Sequence, residues 1–183
     1  MKVAALLLAL LAAAPAQPLP PATQAVRAAI AHEAAASPGV ACVSPRLGQE
    51  FESTQMVLAV PVGSPQHPIA DFRWARADAS PEQVTQLRPD EASELNRSLT
   101  SVLGQPARAR ARLRPADVPR PFRLAAGKCR TTFFFSSPAM LEDTAFVEVS
   151  YTCPGLCGGS WLLALRRIDA TWKVVAVAGL LVS

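Results

Sequence analysis

Residues 145–177, AFVEVSYTCPGLCGGSWLLALRRIDATWKVVAV, decide the fold. Three apolar runs, 145–152, 161–167 and 172–177, have the β-branched and aromatic content of strands and are separated by turn residues. The links between them are short: 153–159 joins the first two runs, and Asp169-Ala170 makes a tight turn before the third. Because short links join antiparallel neighbours, these runs predict consecutive strands that pair side by side.

Helical patterns precede these strands. Residues 23–36 predict a helix with Thr23 as its cap and one apolar stripe, and residues 91–103 predict a second helix with apolar side chains at helical spacing. A further helix is predicted from Ser80 to before Pro89, and weaker strand patterns lie at 55–60 and 69–74. With a fourth strand at 129–135, the order predicts an α+β domain: N-terminal helices packed on one face of a C-terminal antiparallel β-meander, 129–183.

The first residues have the pattern of a secretory signal. Lys2 precedes an apolar run at 3–13, and Ala14-Pro15-Ala16 is a small-x-small cleavage site. The run is shorter than the roughly 20 apolar residues that cross a bilayer, so we expect no membrane span. The prediction is a signal peptide, 1–16, cut after Ala16, and one exported domain, 17–183, that is periplasmic or secreted.

Cys153 and Cys157 form the sharpest motif, Cys-Pro-Gly-Leu-Cys. Pro154-Gly155 suits the central positions of a type II turn, which brings its ends within about 7 Å and so brings the two cysteines within bridging range. Three interpretations follow: a structural disulfide, a redox-active thiol pair, or a soft Cu(I) site. Dithiol oxidoreductases usually have two residues between their cysteines, and no histidine follows Cys157 as a further copper ligand.

Cys42 and Cys129 complete a set of four cysteines, and export favours their oxidation. Four cysteines allow three pairings, which the spacing alone leaves open. A four-cysteine zinc site would need two close pairs, and these spacings do not supply them. We expect no metal and no cofactor.

The C-terminal third resembles a family of small exported bacterial proteins of unknown function, which have a Tyr-x-Cys-x-x-Leu-Cys-Gly turn between strands. The matching segments are Phe135-Ser136-x-Pro138, Ala145-x-Val147-x-Val149, Tyr151-x-Cys153-x-x-Leu156-Cys157-Gly158, Trp172-Lys173-Val174-Val175 and Leu181-Val182-Ser183. This chain departs from the family in having Ala170-Thr171 before Trp172, and Leu181 where tryptophan is usual.

The resemblance implies a disulfide pairing and no activity. Because the family's turn carries its two cysteines as a unit, it implies a Cys153–Cys157 disulfide, which leaves Cys42 to pair with Cys129. It also supports the strand assignment. No catalytic residue comes with it.

Positive charge is concentrated in one stretch. Nine cationic residues and a single acid, Asp117, lie between Arg97 and Arg130. Arg108, Arg110, Arg112 and Arg114 alternate with apolar residues, which would place them on one face of an extended segment as a weak anion-binding set. The alternative is a solvated basic face whose charges pair with acids elsewhere in the chain. An anionic component of the cell envelope is the partner such a face would suit. Nucleic acid is not expected, because only Phe122 supplies a stacking platform among these cations.

Little in the sequence suggests catalysis. Gly159-Ser160-Trp161 lacks the nucleophile elbow of serine hydrolases. His32 and His67 are the two histidines, and we expect His32 to face solvent and His67 to lie in a loop. The expectation is therefore a non-enzymatic binding or structural module of the cell envelope, with a thiol-redox or copper-handling protein using Cys153 and Cys157 as the alternative.

Overall fold

Two α-helices and eight strands make up the described part of the chain. The computed structural model describes residues 19–37, 39–48, 72–78, 85–103, 113–126, 129–155 and 157–182. The helices are α1 (Pro21–Ala36) and α2 (Pro89–Leu103), and a 3-10 turn spans Pro115–Asp117. The strands are β1 (Cys42–Val43), β2 (Ala75–Arg76), β3 (Arg123–Leu124), β4 (Thr132–Phe135), β5 (Ala139–Leu141), β6 (Thr144–Cys153), β7 (Cys157–Ile168) and β8 (Thr171–Val182). None of the helices in these ranges is long and apolar enough to span a membrane.

Both helices begin at a proline. α1 begins at Pro21, two residues before Thr23, and has no side-chain cap, so the prediction of Thr23 as the cap is wrong. α2 confirms the helix predicted at 91–103 and begins two residues earlier, at Pro89, before which the preceding helix was predicted to stop. Proline suits the first turn because its missing N–H would have no helical partner there, and Asp90 and Glu91 add negative charge at the positive end of the helix dipole.

The sheet begins and ends with short strands that local patterns did not reveal. In the described part of the strand predicted at 69–74, residues 72–74 are irregular, and β2 is formed by the next two residues. Residues 85–88 are not helical, and Gln86 instead forms a β-bridge with Ala75. The strand predicted at 55–60, residues 80–84 and the predicted signal all lie outside the described residues.

The strands form one mixed sheet in the order β2-β8-β7-β6-β4-β1-β3, with β5 also pairing with β6. β6 runs antiparallel to β4, β5 and β7, and β8 runs antiparallel to β7 and β2. β1, however, is parallel to both β3 and β4. The fold is α+β, as predicted, but an antiparallel β-meander is not a full description of its sheet.

The two helices cover opposite faces of the sheet, so the prediction that they share one face is wrong. The reason lies in β6 and β7, which are apolar on both faces and therefore need cover on both. The core on the α1 side includes Val26, Ala29, Ile30, Val147, Val149, Leu163 and Leu165. The core on the α2 side includes Leu95, Leu99, Val102, Phe146, Leu162, Ala164 and Ala176.

Two disulfides are present, one between residues far apart in sequence and one between residues at the two ends of a hairpin turn. Cys42 at the start of β1 is bonded to Cys129, 87 residues further along the chain, with Cα atoms 6.1 Å apart. Cys153 and Cys157, at the facing ends of β6 and β7, are bonded with Cα atoms 5.5 Å apart. No cysteine is free. The first bond ties the segment after α1 to the sheet, and the second closes a hairpin.

Candidate functional site: a groove between α1 and the β7–β8 hairpin

A groove of about 460 Å³ lies where α1, the 3-10 turn and the β7–β8 hairpin meet. Small-molecule sites usually have volumes of roughly 300 to 1,000 Å³, so this one is large enough for a small ligand. Its lining comes from three parts of the chain: Leu19, Gln24, Arg27, Ala28 and Ala31; Ala116, Asp117 and Pro119; and Ala170, Thr171 and Trp172. The fold alone brings these segments together.

One stripe of α1 forms a wall of the groove. Gln24, Arg27, Ala28 and Ala31 are three or four residues apart, so they lie on one side of the helix. The adjacent stripe, which includes Ile30, is buried against the sheet. The groove-facing stripe therefore borders the core, and its small alanine side chains leave the space that forms the groove.

The β7–β8 turn places Trp172 in the opposite wall. Asp169 and Ala170 both have positive φ angles, 49° and 61°, as in the type I′ turns that join tightly paired strands. The turn brings Trp172 into register with Arg167 across the two strands. The Trp172 side chain is 5% exposed, so its indole lies almost completely inside the protein while still lining the groove.

Trp172 differs from the two other tryptophans in its indole N–H. The Trp74 N–H donates to Asn96 Oδ1 at 2.7 Å, and the Trp161 N–H donates to Glu33 Oε1 at 2.8 Å. The Trp172 N–H is buried and has no hydrogen-bond partner among the described residues. Since an indole nitrogen can only donate, this group needs an acceptor that the described part of the protein does not provide.

Asp117 is the carboxylate of the groove lining, and it is already engaged. It is 2% exposed, and its Oδ2 accepts hydrogen bonds from the backbone N–H of Arg114 at 2.8 Å and from Arg114 Nε at 3.3 Å. Burial raises the pKa of Asp117, but these hydrogen bonds and the charges of Arg114 and Arg27 outweigh it, so the pKa lies below its usual value. Asp117 therefore stays ionised and acts as a fixed structural acceptor.

Arg27 supplies the positive charge on the α1 wall. It is exposed and forms none of the salt bridges found among the described residues. Nearby, the Gln24 side-chain amide donates to the backbone oxygen of Leu19 at 2.6 Å, which fixes the orientation of that side chain. The arrangement offers hydrogen-bond donors and one cation beside apolar walls, which is chemistry for binding.

The Cys153–Cys157 disulfide lies at the hairpin that joins β6 to β7. Gly155, in its connecting turn, has φ 90°, a left-handed conformation that glycine adopts without strain. Cys157 is exposed and Cys153 is half-buried. Among the residues that the structure describes, no group of three histidine, cysteine, aspartate or glutamate side chains is placed to hold a metal ion.

Of the four arginines predicted as an anion-binding set, Arg114 is the one within the described residues. Arg108, Arg110 and Arg112 lie outside the described residues, and so does His67. The Arg114 side chain is 65% exposed and is bound to Asp117. For this residue the structure shows a local structural role at the start of the 3-10 turn: its backbone N–H donates to Asp117 Oδ2 at 2.8 Å, and its backbone oxygen accepts from the Asp117 N–H at 2.9 Å.

Glu33 is a buried polar residue that the sequence prediction missed. It is 6% exposed, on the face of α1 that packs against the sheet. The sequence did indicate that Glu33 would be buried, because Glu33 lies three residues after Ile30 and so falls on the predicted apolar stripe. Its neighbour His32 is half-buried, not solvent-facing as predicted, and burial lowers the pKa of its imidazole.

Comparisons of this chain with protein-family models, with curated proteins and with solved structures give no match. The resemblance of its C-terminal third to a family of exported proteins therefore stays a prediction. What the protein does has to be inferred from its own residues, and among those described the groove beside Trp172 combines volume, a buried donor without a partner and an adjacent charge.

Proposed function

We propose that this protein is an exported, non-enzymatic module of the cell envelope, periplasmic or secreted, that binds a ligand in the groove beside Trp172. The observation that carries the proposal is the buried indole N–H of Trp172, which has no hydrogen-bond partner among the described residues and belongs to a residue that lines a groove of about 460 Å³. A ligand acceptor atom would satisfy this N–H, and unsatisfied buried donors are rare in folded proteins.

The chemistry of the groove favours binding over catalysis. General acid–base work needs a group that can exchange a proton near the working pH. The pKa of Asp117 is instead held below its usual value, and its Oδ2 is occupied by Arg114. The other described lining residues are apolar, hydroxyl, amide, indole or guanidinium groups, none of which is paired with a base there.

Export is part of the same proposal. The pattern of residues 1–16 and the oxidised state of all four cysteines support it, because disulfides persist in oxidising compartments. Expression of the full chain with its first residues intact, followed by mass measurement of the product, tests this step. We expect a product that begins at Gln17 in the oxidising compartment, and an uncleaved product retained inside the cell would contradict export.

Ligand binding is tested by NMR on the ¹⁵N-labelled protein with a library of small neutral, anionic and cationic compounds. The three indole N–H signals serve as reporters, and Trp172→Phe identifies the signal of Trp172. We expect hits that move the Trp172 signal and leave that of Trp74 in place, because the Trp74 N–H is bound to Asn96. A library that never moves the Trp172 signal counts against the proposal.

A matched pair of variants locates the binding. Ala31→Trp would fill the groove, whereas Ala35→Trp adds the same side chain at another exposed position of α1 outside the lining. We expect hits to be lost in Ala31→Trp and kept in Ala35→Trp. Equal binding by both variants would place the ligand elsewhere.

The second candidate function is thiol-redox or copper handling by Cys153 and Cys157. The observation in its favour is the exposure of Cys157 at the end of the hairpin, since reactive cysteines are usually found at accessible positions. Thiol titration with mass mapping under mild reductant separates the alternatives. A Cys153–Cys157 bond that stays oxidised rules out redox exchange, and Cu(I) uptake that Cys157→Ser abolishes would favour copper over a purely structural bond.

A further inference from the structure

We infer that the groove selects a small organic anion, a carboxylate attached to an apolar body, with the carboxylate at Arg27 and the Trp172 indole N–H. This inference rests on the proposed function and adds the class of ligand. It follows from the balance of donors and acceptors, from the local charge and from the apolar walls.

Two donor side chains of the groove lining have no partner among the described residues, whereas its carboxylate is already bound. Trp172 has a buried N–H without a partner in the described part of the chain, and Arg27 has a guanidinium without a salt bridge there. Gln24 uses its amide N–H for Leu19, which leaves its carbonyl as an acceptor. A ligand rich in acceptors fits this inventory better than a ligand rich in donors.

The charge in and around the groove is positive. Asp117 is the acid of the described lining, and its charge is offset by the salt bridge from Arg114 at 3.3 Å. The charge of Arg27 acts on the same carboxylate, and Arg27, Arg114 and Asp117 together carry a net charge of +1. An ammonium ligand would be repelled by this guanidinium, whereas a carboxylate would gain charge-assisted hydrogen bonds, which are stronger than neutral ones.

The apolar walls distinguish an organic anion from an inorganic one. Leu19, Ala28, Ala31, Pro119 and the Trp172 ring contribute much of the lining. A bare phosphate or sulfate ion would leave these surfaces in contact with water. An aliphatic or aromatic body attached to the carboxylate would cover them and gain the free energy of burying apolar surface.

Three probes of one shape and different charge test the inference. Phenylacetate, phenylacetamide and phenethylamine share an aromatic body and carry negative, zero and positive charge at neutral pH. Each is titrated into the ¹⁵N-labelled full chain while the indole signals are followed. We expect phenylacetate to move the Trp172 signal and to bind at least about tenfold more tightly than the amide, the size of effect typical for a hydrogen bond to a charged group.

Two charge-removing variants provide the matched control. Arg27→Gln should weaken phenylacetate binding by about tenfold or more and reduce its dependence on salt. Arg130→Gln removes the same charge at an exposed position outside the groove lining and should leave binding unchanged. The Trp74 and Trp161 signals should stay in place, because both N–H groups already have partners.

The outcomes test the class of ligand separately from the existence of a binding site in the groove. Equal binding of the three probes, tighter binding of inorganic phosphate than of phenylacetate, or no effect of Arg27→Gln would overturn the selection of an organic anion. If no probe binds but other library compounds move the Trp172 signal, this inference fails and the groove remains a binding site. If nothing moves that signal, the proposed function fails as well.

Discussion

Glu33 on α1 accepts a hydrogen bond of 2.8 Å from the indole N–H of Trp161 on β7, across 128 residues of sequence. Trp161 lies in turn against Phe133, with ring centroids 6.3 Å apart in an edge-on arrangement, and against Tyr151 at 5.7 Å. The carboxyl group therefore sits between a helix and an aromatic cluster. Burial raises the pKa of Glu33 to about 7, against the smaller opposing effect of the Trp161 hydrogen bond.

The stability of the protein should fall as pH rises through this pKa. A carboxyl whose pKa is about 7 in the folded protein and 4.5 when exposed holds its proton more tightly in the folded state. Its contribution is therefore complete below about pH 4.5 and is lost as pH rises through about 7, a difference of roughly 3 kcal/mol. Urea unfolding of the wild type at several pH values across this window measures it.

Glu33→Gln should remove this part of the pH dependence, because the amide oxygen can still accept the Trp161 N–H but carries no charge at any pH. The variant should be more stable than the wild type at pH 8. Glu142→Gln makes the same change at an exposed position and should leave the dependence of the unfolding free energy on pH as it is in the wild type. If Glu33→Gln also leaves this pH dependence unchanged, a group other than Glu33 causes it.

Asp117 should stabilise the fold with the opposite pH dependence. Its pKa is lowered from 3.8, so its contribution is present above that value and is lost as pH falls through the folded-state pKa. Asp117→Asn weakens the bonds from Arg114 and should lower the free energy of unfolding by about 1–3 kcal/mol at neutral pH. The difference from the wild type should narrow in acid, as measured by urea unfolding.

Asp143→Asn is the matched control for this substitution. The Asp143 side chain is 75% exposed and approaches Arg167 only to 3.9 Å, so its loss should change stability by less than about 0.5 kcal/mol. An equal effect of both substitutions would mean that general charge balance, and not the 3-10 turn, explains the loss in Asp117→Asn.

Local patterns predicted the strands at the end of the chain well. The run 145–152 lies within β6, 161–167 within β7 and 172–177 within β8, and each real strand is longer than its pattern. These strands contain enough residues to show their composition and are separated by short turns. β1, with two residues, cannot display a period, and so its parallel pairing with β3 and β4 was not predictable.

Tertiary relationships were the harder part. Residue alternation in β6 predicts that Phe146 and Val147 lie on different faces of the sheet. It does not predict that a helix covers each of these faces. The groove was not predicted, because Arg27, Asp117 and Trp172 come from three separate segments and no local pattern shows that these segments meet. That the Trp172 N–H has no partner in the part of the chain that the structure describes becomes visible only when its surroundings are known.

Ala170→Gly should stabilise the protein. Ala170 has φ 61°, and the left-handed region costs an L-residue with a side chain roughly 1–2 kcal/mol relative to glycine. Glycine also makes the unfolded chain more flexible, which offsets part of the gain. We expect the free energy of unfolding to rise by about 0.5–1 kcal/mol. Ala126→Gly, at an exposed residue without positive φ, should lower it, and a loss in both variants would contradict the strain at Ala170.

The two disulfides should differ in how much they stabilise the fold. Loop-closure entropy predicts about 4.5 kcal/mol for the bond that closes 87 residues of separation, Cys42–Cys129, and about 2 kcal/mol for Cys153–Cys157, which closes a separation of four. The paired substitutions Cys42→Ala with Cys129→Ala, and Cys153→Ala with Cys157→Ala, measure each contribution by urea unfolding. A larger loss of unfolding free energy from the Cys153/Cys157 pair would mean that this bond stabilises the β6–β7 hairpin by more than its loop-closure entropy. The more stabilising of the two disulfides would then be the one in the hairpin.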